Sequence, residues 1–263
     1  KASTYRQQMS MLTKLKAYKN PLFFYEINED FFKKMKLHFR KVSKNEETTI
    51  ASFVKSFKKI LHIANKRGII TPLRYDDIHN TSFTGKRTFL MPDEILKLYK
   101  YWQNDFINAT HKAILARFLF SCFTGLRISD IQVLSEENLF DDFVVFTTQK
   151  TNKLQRIPLN ESAKKFLEPK IMFHGKFTGE YINRELKFIS KAVGIRKNIS
   201  FHVSRHSFAT NFLICGGRIE HLQKILGHSK IEETMIYVKI VDEITNVQIH
   251  NMDDILKNDS GQL

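Results

Sequence analysis

Six side chains in this sequence, taken in chain order, could together handle a phosphodiester: Arg127, Lys150, His202, Arg205, His228 and Tyr237. A guanidinium is planar, always charged and able to pair two phosphate oxygens at once, so Arg127 and Arg205 suit an anion clamp. His202 and Arg205 stand three residues apart, and on a helix they share a face. An imidazole there could donate to an oxygen held by the arginine, or shuttle a proton. His228 could hydrogen-bond another such oxygen. A tyrosine attacks as its phenolate, and its ordinary pKa of about 10 calls for positive charge nearby. A lysine could protonate the departing oxygen. Each residue also has a plainer reading. The arginines could form salt bridges, His228 could satisfy helix carbonyls after Gly227, Tyr237 could be core, and Lys150 could serve solubility at a hairpin tip. His202 and His206 form an i, i+4 pair of the kind that can face zinc, with His221 and His228 further on. No Glu sits between the pair as in metallohydrolases, and no metal is expected.

Elements must place these groups. Residues 111–123 are apolar nearly all round, which predicts a buried helix running into Thr124-Gly125-Leu126-Arg127. Ser129 is expected to cap a short helix holding Asp130 and Leu134. Phe143–Thr148 and Leu154–Leu159 read as two strands, with residues 149–153 as the hairpin tip that exposes Lys150 and Lys153. From residue 160 the pattern is helical, punctuated by Gly194, Gly216-Gly217 and Gly227. Met91-Pro92-Asp93-Glu94 predicts a helix start. Upstream, Asn28 can cap a helix carrying Phe31, Phe32, Met35 and Phe39. Ser43 with Glu46 fits a capping box. The following helix puts Phe53, Val54, Phe57, Ile60, Leu61 and Ala64 on one stripe, with Gly68 as its stop.

The net charge is +15 over 263 residues. Residues 1–90 hold 19 Lys and Arg against 7 Asp and Glu, whereas the rest hold 23 against 20. A basic small module beside a near-neutral larger one predicts a polyanion partner, nucleic acid above all. Lys55, Lys58, Lys59, Lys66 and Arg67 fall largely outside the apolar stripe, as a solvated face or as phosphate contacts. Lys86 and Arg87 close a polar stretch, and Lys153 tips the hairpin. No apolar run reaches the roughly 18 residues of a membrane span. No secretory leader is read at the basic start, and a cytoplasmic, nucleoid-associated location in a bacterium is expected. Cys122 and Cys215 lie in apolar patterns and are expected as buried free thiols.

The phrases Thr124-Gly125-Leu126-Arg127, Phe201-His202-Val203-Ser204-Arg205-His206-Ser207-Phe208-Ala209-Thr210, Leu226-Gly227-His228-Ser229 and Thr234-Met235-Ile236-Tyr237-Val238 stand in this order. In that order and spacing the chain resembles the tyrosine recombinases of the phage-integrase family, strongly over residues 89–250 and more loosely over 1–80. The resemblance implies a mainly α protein: a helical SAM-like core-DNA-binding domain (1–80), a linker (81–88), and a mostly helical catalytic domain with a small antiparallel sheet (89–263). It implies Tyr237 as nucleophile, Arg127, Arg205, His202 and His228 around the phosphate, Lys150 as general acid, and Asp130 as an orienting acid or a helix cap. The expected activity is site-specific DNA recombination through a 3′-phosphotyrosyl link, with no cofactor, serving integration of a mobile element. Expected partners are duplex DNA in a clamp, a tetramer of this chain in the synapse, and accessory DNA-bending proteins. The apolar residues from Ile240 to Ile249 are expected to dock as a helix, on the same chain or a neighbour. Alternatives are a catalytically silent DNA-binding factor, a type IB topoisomerase-like enzyme and, least of all, a metal-dependent nuclease. An arm-site-binding domain, with which many integrases begin, is not visible. The chain is therefore expected to be part of a longer protein or a shorter invertase- or Xer-like enzyme.

Overall fold

The computed structural model describes residues 2–79 and 87–251, and the chain divides into two compact units, Lys1–Lys86 and Arg87–Leu263. Most of the expected linker, Lys86 included, lies outside the described residues. In the first unit α1 (Ala2–Tyr18), α2 (Glu29–Lys41) and α3 (Glu47–Lys66) close on an aromatic core. Asn28 caps α2 by accepting from the Phe31 N–H at 2.8 Å. The helical spacing then delivers Phe31, Phe32, Met35 and Phe39 to the core, where Phe39 meets Phe53 of α3 at a ring separation of 4.5 Å. Burying each such ring stabilises the unit by roughly 1.5–3 kcal/mol. The Ser43–Glu46 capping box does not form. The end of α2 consumes Ser43, whose N–H bonds back to the His38 carbonyl, and Lys44 turns the chain at φ 50°. Glu46 is left at the cap position of α3, without a side-chain cap.

The second unit is built on α5 (Ala109–Thr124), with α4 (Pro92–Trp102) beside it. α5 leads through Gly125 into α6 (Ile128–Ile131). Ser129 is not the cap of α6. The Arg127 carbonyl already accepts from the N–H groups of Asp130 and Ile131, so the helix starts earlier and Ser129 lies inside it. Strands β1 (Phe143–Thr147) and β2 (Leu154–Pro158) pair antiparallel, Val145 opposite Arg156. Short α7 (Glu161–Lys164) and α8 (Pro169–Met172) lead to α9 (Gly179–Ala192), and α10 (Phe201–Ile214) packs along α5. Serines let α5 and α10 approach closely: Ser121 Oγ and Ser204 Oγ are 2.6 Å apart and both are fully buried. Ser207 Oγ accepts from the Leu90 N–H at 2.8 Å, tying the start of the unit to α10.

α11 (Ile219–Leu226) and α12 (Glu232–Asn251) finish the described chain. Tyr237, Ala209, Leu222 and Leu226 form a small core of their own, with Ile236 and Ile240 packed on it. The first half of the C-terminal helix therefore docks on its own chain, while the side chains of Val247 and Ile249 lie outside the described residues. Cys122 is buried in α5, but Cys215 is exposed, because it ends α10 where Gly216 turns the chain at φ 82°.

Candidate active site

Two helix ends build the centre of the site. α5 stops at Gly125, left-handed at φ 70°, where a Cβ would stand 2.6 Å from Phe208 Cδ1. α11 stops at Gly227, left-handed at φ 63°, where a Cβ would stand 2.5 Å from Gln155 Nε2. Both ends therefore require glycine. Both leave carbonyls aimed inward, and Arg205 of α10 donates to them: Nη1 to Gly125 O at 2.6 Å and Nη2 to Leu226 O at 2.5 Å. Arg127 Nη2 donates to the same Leu226 carbonyl at 3.4 Å. One helix C-terminus, with its partial negative charge, thus holds two cations side by side. Arg205 is 3% exposed. Burial, then the charge of Arg127, lowers it to about 10, so it stays cationic at neutral pH.

Asp130 joins this centre to the hairpin. Its carboxylate is buried, accepts from the Gln149 N–H at 2.9 Å and lies 3.9 Å from Arg127 Nη1. Gln149 precedes Lys150, so Asp130 fixes the root of the hairpin tip relative to Arg127. The tip is a tight loop: Thr148 N–H donates to Lys153 O, and Asn152 takes a left-handed φ of 56°. Lys150 and Lys153 are exposed on it. The Lys150 charge reaches the site, since it helps to lower both His202 and His228.

His228 Nε2 lies 3.2 Å from Arg205 Nη2, and its Nδ1 lies 2.9 Å from Thr234 Oγ1. A guanidinium only donates, so Nε2 accepts and Nδ1 carries the proton toward the threonine. His202 is open to solvent on the first turn of α10, its ring edge-on to that of His206 at 4.5 Å. Desolvation by the surrounding protein, followed by the charges of Arg205 and its neighbours, pushes His202 and His228 each down to about 4. Tyr237 is 2% exposed, with its hydroxyl 2.9 Å from His206 Nδ1. Burial raises the phenol, and Arg205, Arg87 and Arg127 only partly offset this.

The sequence reading missed His206, which it weighed only as half of a zinc pair. Both its ring nitrogens are engaged, one by Tyr237 and the other by Arg87 at 3.5 Å. Its place one residue after Arg205 was visible, but nothing in the sequence sets it against Tyr237. Buried Thr234 behind His228 was missed too. Of the basic residues named for DNA, Lys55, Lys59, Lys66 and Arg67 are exposed on the first unit. Lys58 is not wholly on that face. It is half-buried and donates to the Ile78 carbonyl at 3.0 Å, because the segment after α3 folds back within its reach. Arg87 belongs to the second unit, and Lys86 lies outside the described residues.

Comparison with known proteins gives these features a context. Residues 88–243 match the model of the phage integrase family, and residues 1–81 match that of the phage integrase SAM-like domain. The integrase of Escherichia phage P2 is 35% identical over 46% of this chain and 36% of its own length. A tyrosine recombinase of Pseudothermotoga lettingae is 28% identical over 82% of this chain and 77% of its own. The XerD recombinase of Bradyrhizobium diazoefficiens is 30% identical over 46% of each. The chain thus spans from about a third to about three quarters of the length of these curated relatives. Among solved structures, a lambda integrase dimer bound to a core site superposes with a TM-score of 0.75 at 17% identity, covering 90% of this chain and 88% of that one. The XerH site-specific recombinase in a post-cleavage complex gives 0.73 at 16%, covering 94% and 79%. The mainly helical fold with its SAM-like first unit and two-stranded antiparallel sheet is the fold of these integrases.

Proposed function

The chain belongs to the phage integrase family of tyrosine recombinases, and from that premise we propose that it cleaves and rejoins DNA at a specific site through Tyr237. The observation that carries this reading is the meeting of Arg127 and Arg205 at the Leu226 carbonyl, with His228 against Arg205, in the positive field that also acts on Tyr237. A phosphate brought here would find two guanidiniums held by helix-end carbonyls, with their remaining N–H groups for its oxygens. Neutral His202 would donate to one of its oxygens, and His228, with Nδ1–H toward Thr234 and Nε2 accepting from Arg205, would hold that guanidinium in place. Tyr237 attacks phosphorus, the Tyr–O–P bond forms, the P–O5′ bond breaks, and Lys150 supplies the proton for the 5′-hydroxyl. The phosphotyrosyl ester keeps the energy of the diester, so rejoining requires no nucleotide. Asp130 sets the hairpin root so that Lys150 and the arginines address one phosphate.

The exposed lysines of the first unit, with Lys153 and Arg87, bind the duplex backbone in this reading, and Lys86 is proposed with them from sequence alone. A tetramer on two DNA sites, as in the lambda integrase tetramer bound to a Holliday junction, is the proposed working assembly. Accessory DNA-bending proteins and exchange of the C-terminal segment between protomers are proposed alongside it. The buried, hydrogen-bonded Tyr237 favours one second reading, a protein that binds DNA and does not cut it.

A covalent-trapping assay decides between them. Nicked duplexes tiled across the junctions of the source element are mixed with wild type and Tyr237→Phe in EDTA and run on denaturing gels. A protein–DNA band with wild type alone supports the recombinase. Retarded DNA on native gels with no covalent band supports the binding protein.

A further inference from the structure

The contact between Tyr237 and His206 has a direction that a third residue sets. His206 Nε2 faces Arg87 Nη1 at 3.5 Å, and Nδ1 faces the Tyr237 hydroxyl at 2.9 Å. Arginine has no acceptor, so in the Arg87 contact Nε2 must be the acceptor. A neutral imidazole carries one N–H, and it then stands on Nδ1, pointed at the phenolic oxygen. Resting on the proposed role of Tyr237, we propose that His206 is a catalytic residue that donates this N–H to the tyrosine oxygen, held in the required tautomer by Arg87.

The surroundings keep His206 neutral. It is 7% exposed on α10, where His202 and Arg205 flank it. Arg87 stands on one side, His228 after α11 adds its influence, and Tyr237 of α12 covers the ring. Burial first, and then these positive or potentially positive neighbours, push it down to about 3. A donor of this kind favours phenolate over phenol, because a hydrogen bond to a charged oxygen is the stronger one. It works in both directions of the reaction. In cleavage the phenolic proton leaves to water and His206 steadies the attacking oxygen. In rejoining the DNA 5′-oxygen attacks, the Tyr–O–P bond breaks, and the same N–H receives the departing phenolate. His206 neither gains nor loses a proton. Burial works against ionisation of Tyr237, which is why a dedicated donor matters here.

Two measurements on the full chain without DNA test this, so their outcome does not depend on the recombinase reading. The first is the ¹⁵N spectrum of labelled histidine at neutral pH. Nδ1–H is expected for His206, with Arg87→Ala shifting population to Nε2–H. A wild-type ring protonated at Nε2 overturns the proposal, since Nδ1 would then accept the phenolic proton. The second places 3-fluorotyrosine at position 237 and follows its ¹⁹F signal through an alkaline titration. His206→Ala is expected to raise the phenol pKa by about one to two units, the worth of a hydrogen bond to a charged group. His206→Asn, whose amide places a donor near the same point, is expected to restore much of the difference. An unchanged or lower value in His206→Ala overturns the proposal. If His206→Ala fails to fold, the wild-type tautomer and the Asn variant carry the test. Covalent trapping then reads the consequence, with His206→Ala expected to cleave about 10²–10³ more slowly, as on loss of one oxyanion donor.

Discussion

Two arginines of the second unit are equally deep and do different things. Arg117 of α5 is 5% exposed and Arg205 of α10 is 3% exposed. Arg117 donates to the carbonyls of Met172, His174 and Gly175 at 2.8–2.9 Å and lies over the Phe177 ring. Burial alone lowers it. Arg205 also rests on carbonyls, but Arg127 shares one of them, and His228 and His202 are held neutral beside it. A cation that stitches a loop to a helix has no use for a second cation nearby, which would only add repulsion. Crowded positive charge over neutral imidazoles is an arrangement that an arriving anion relieves. Depth and hydrogen bonding alone therefore do not set Arg205, the arginine proposed for the phosphate, apart from Arg117; the like charge beside it does.

The largest expected contrast breaks the pair apart by activity. Tyr237→Phe should abolish covalent attachment while leaving DNA retention intact on a native gel. Arg205→Ala should slow cleavage by about 10³–10⁵, the range for losing an arginine that meets transition-state charge on a phosphoryl group. Arg117→Ala should behave oppositely. It strips one buried and two part-buried carbonyls of a donor and is expected to cost about 1–3 kcal/mol of stability, read as a lower midpoint in urea. Its folded fraction, assayed in the cold, should cleave at nearly the wild-type rate. If Arg117→Ala matched Arg205→Ala in cleavage per folded molecule, the distinction between them would collapse.

Lys150 extends the contrast to the hairpin. Lys150→Ala is expected to slow cleavage of ordinary DNA by about 10²–10⁴, as on loss of a general acid. Slowing should be far smaller on DNA whose 5′-bridging oxygen is replaced by sulfur, a leaving group that needs no proton. Equal slowing on both substrates would remove Lys150 from that role.

How much of this was legible follows the range of the signal. The Asn28 cap, the buried α5 and the β1–β2 hairpin are local patterns, each settled within a few residues, and the structure has all three. The order Arg127, Lys150, His202, Arg205, His228, Tyr237 carried the family. The Ser43–Glu46 and Ser129 caps failed because competing backbone hydrogen bonds, set by how the helices meet, took those positions. The partnership of His206 with Tyr237 and Arg87 spans three separate segments, and no spacing rule encodes it. The motif named Arg205 for the phosphate and passed over Arg117, but the partners that each one meets were hidden for the same reason. Both are single arginines in apolar helices, and only the tertiary contacts decide which carbonyls and charges each one meets.

The histidines beside Arg205 give the comparison a pH signature. His202 and His228 fall from an ordinary 6.5 to about 4, and His206 to about 3. A folded-state pKa below the unfolded one means that the unfolded chain binds protons first. This contribution to stability is complete above about 6.5 and is lost as pH falls through about 4 for His202 and His228 and about 3 for His206. Thermal melting should therefore show a falling midpoint across that window. Arg205→Met should flatten the fall, since Arg205 helps to depress all three groups, whereas Arg117→Met should leave it unchanged. Equal slopes in the two variants would mean that burial alone, without the arginine's charge, sets the histidines.

The smallest effects come from two neighbouring lysines of α3, which repeat the contrast at the surface. Lys58 Nζ is engaged by the Ile78 carbonyl at 3.0 Å, while Lys59 is exposed. Lys58→Ala is expected to cost about 1 kcal/mol of stability, the net worth of one hydrogen bond. Lys59→Ala should leave stability alone and weaken retention of any duplex evenly, lowering the slope of log affinity against log salt by about one if it meets a phosphate. Urea midpoints and salt-titrated binding to a random-sequence duplex separate the two. A Lys59→Ala variant with an unchanged salt slope would return that face to the solvated reading. A changed slope in Lys58→Ala alone would mean that the cation already committed to a carbonyl is the one DNA recruits.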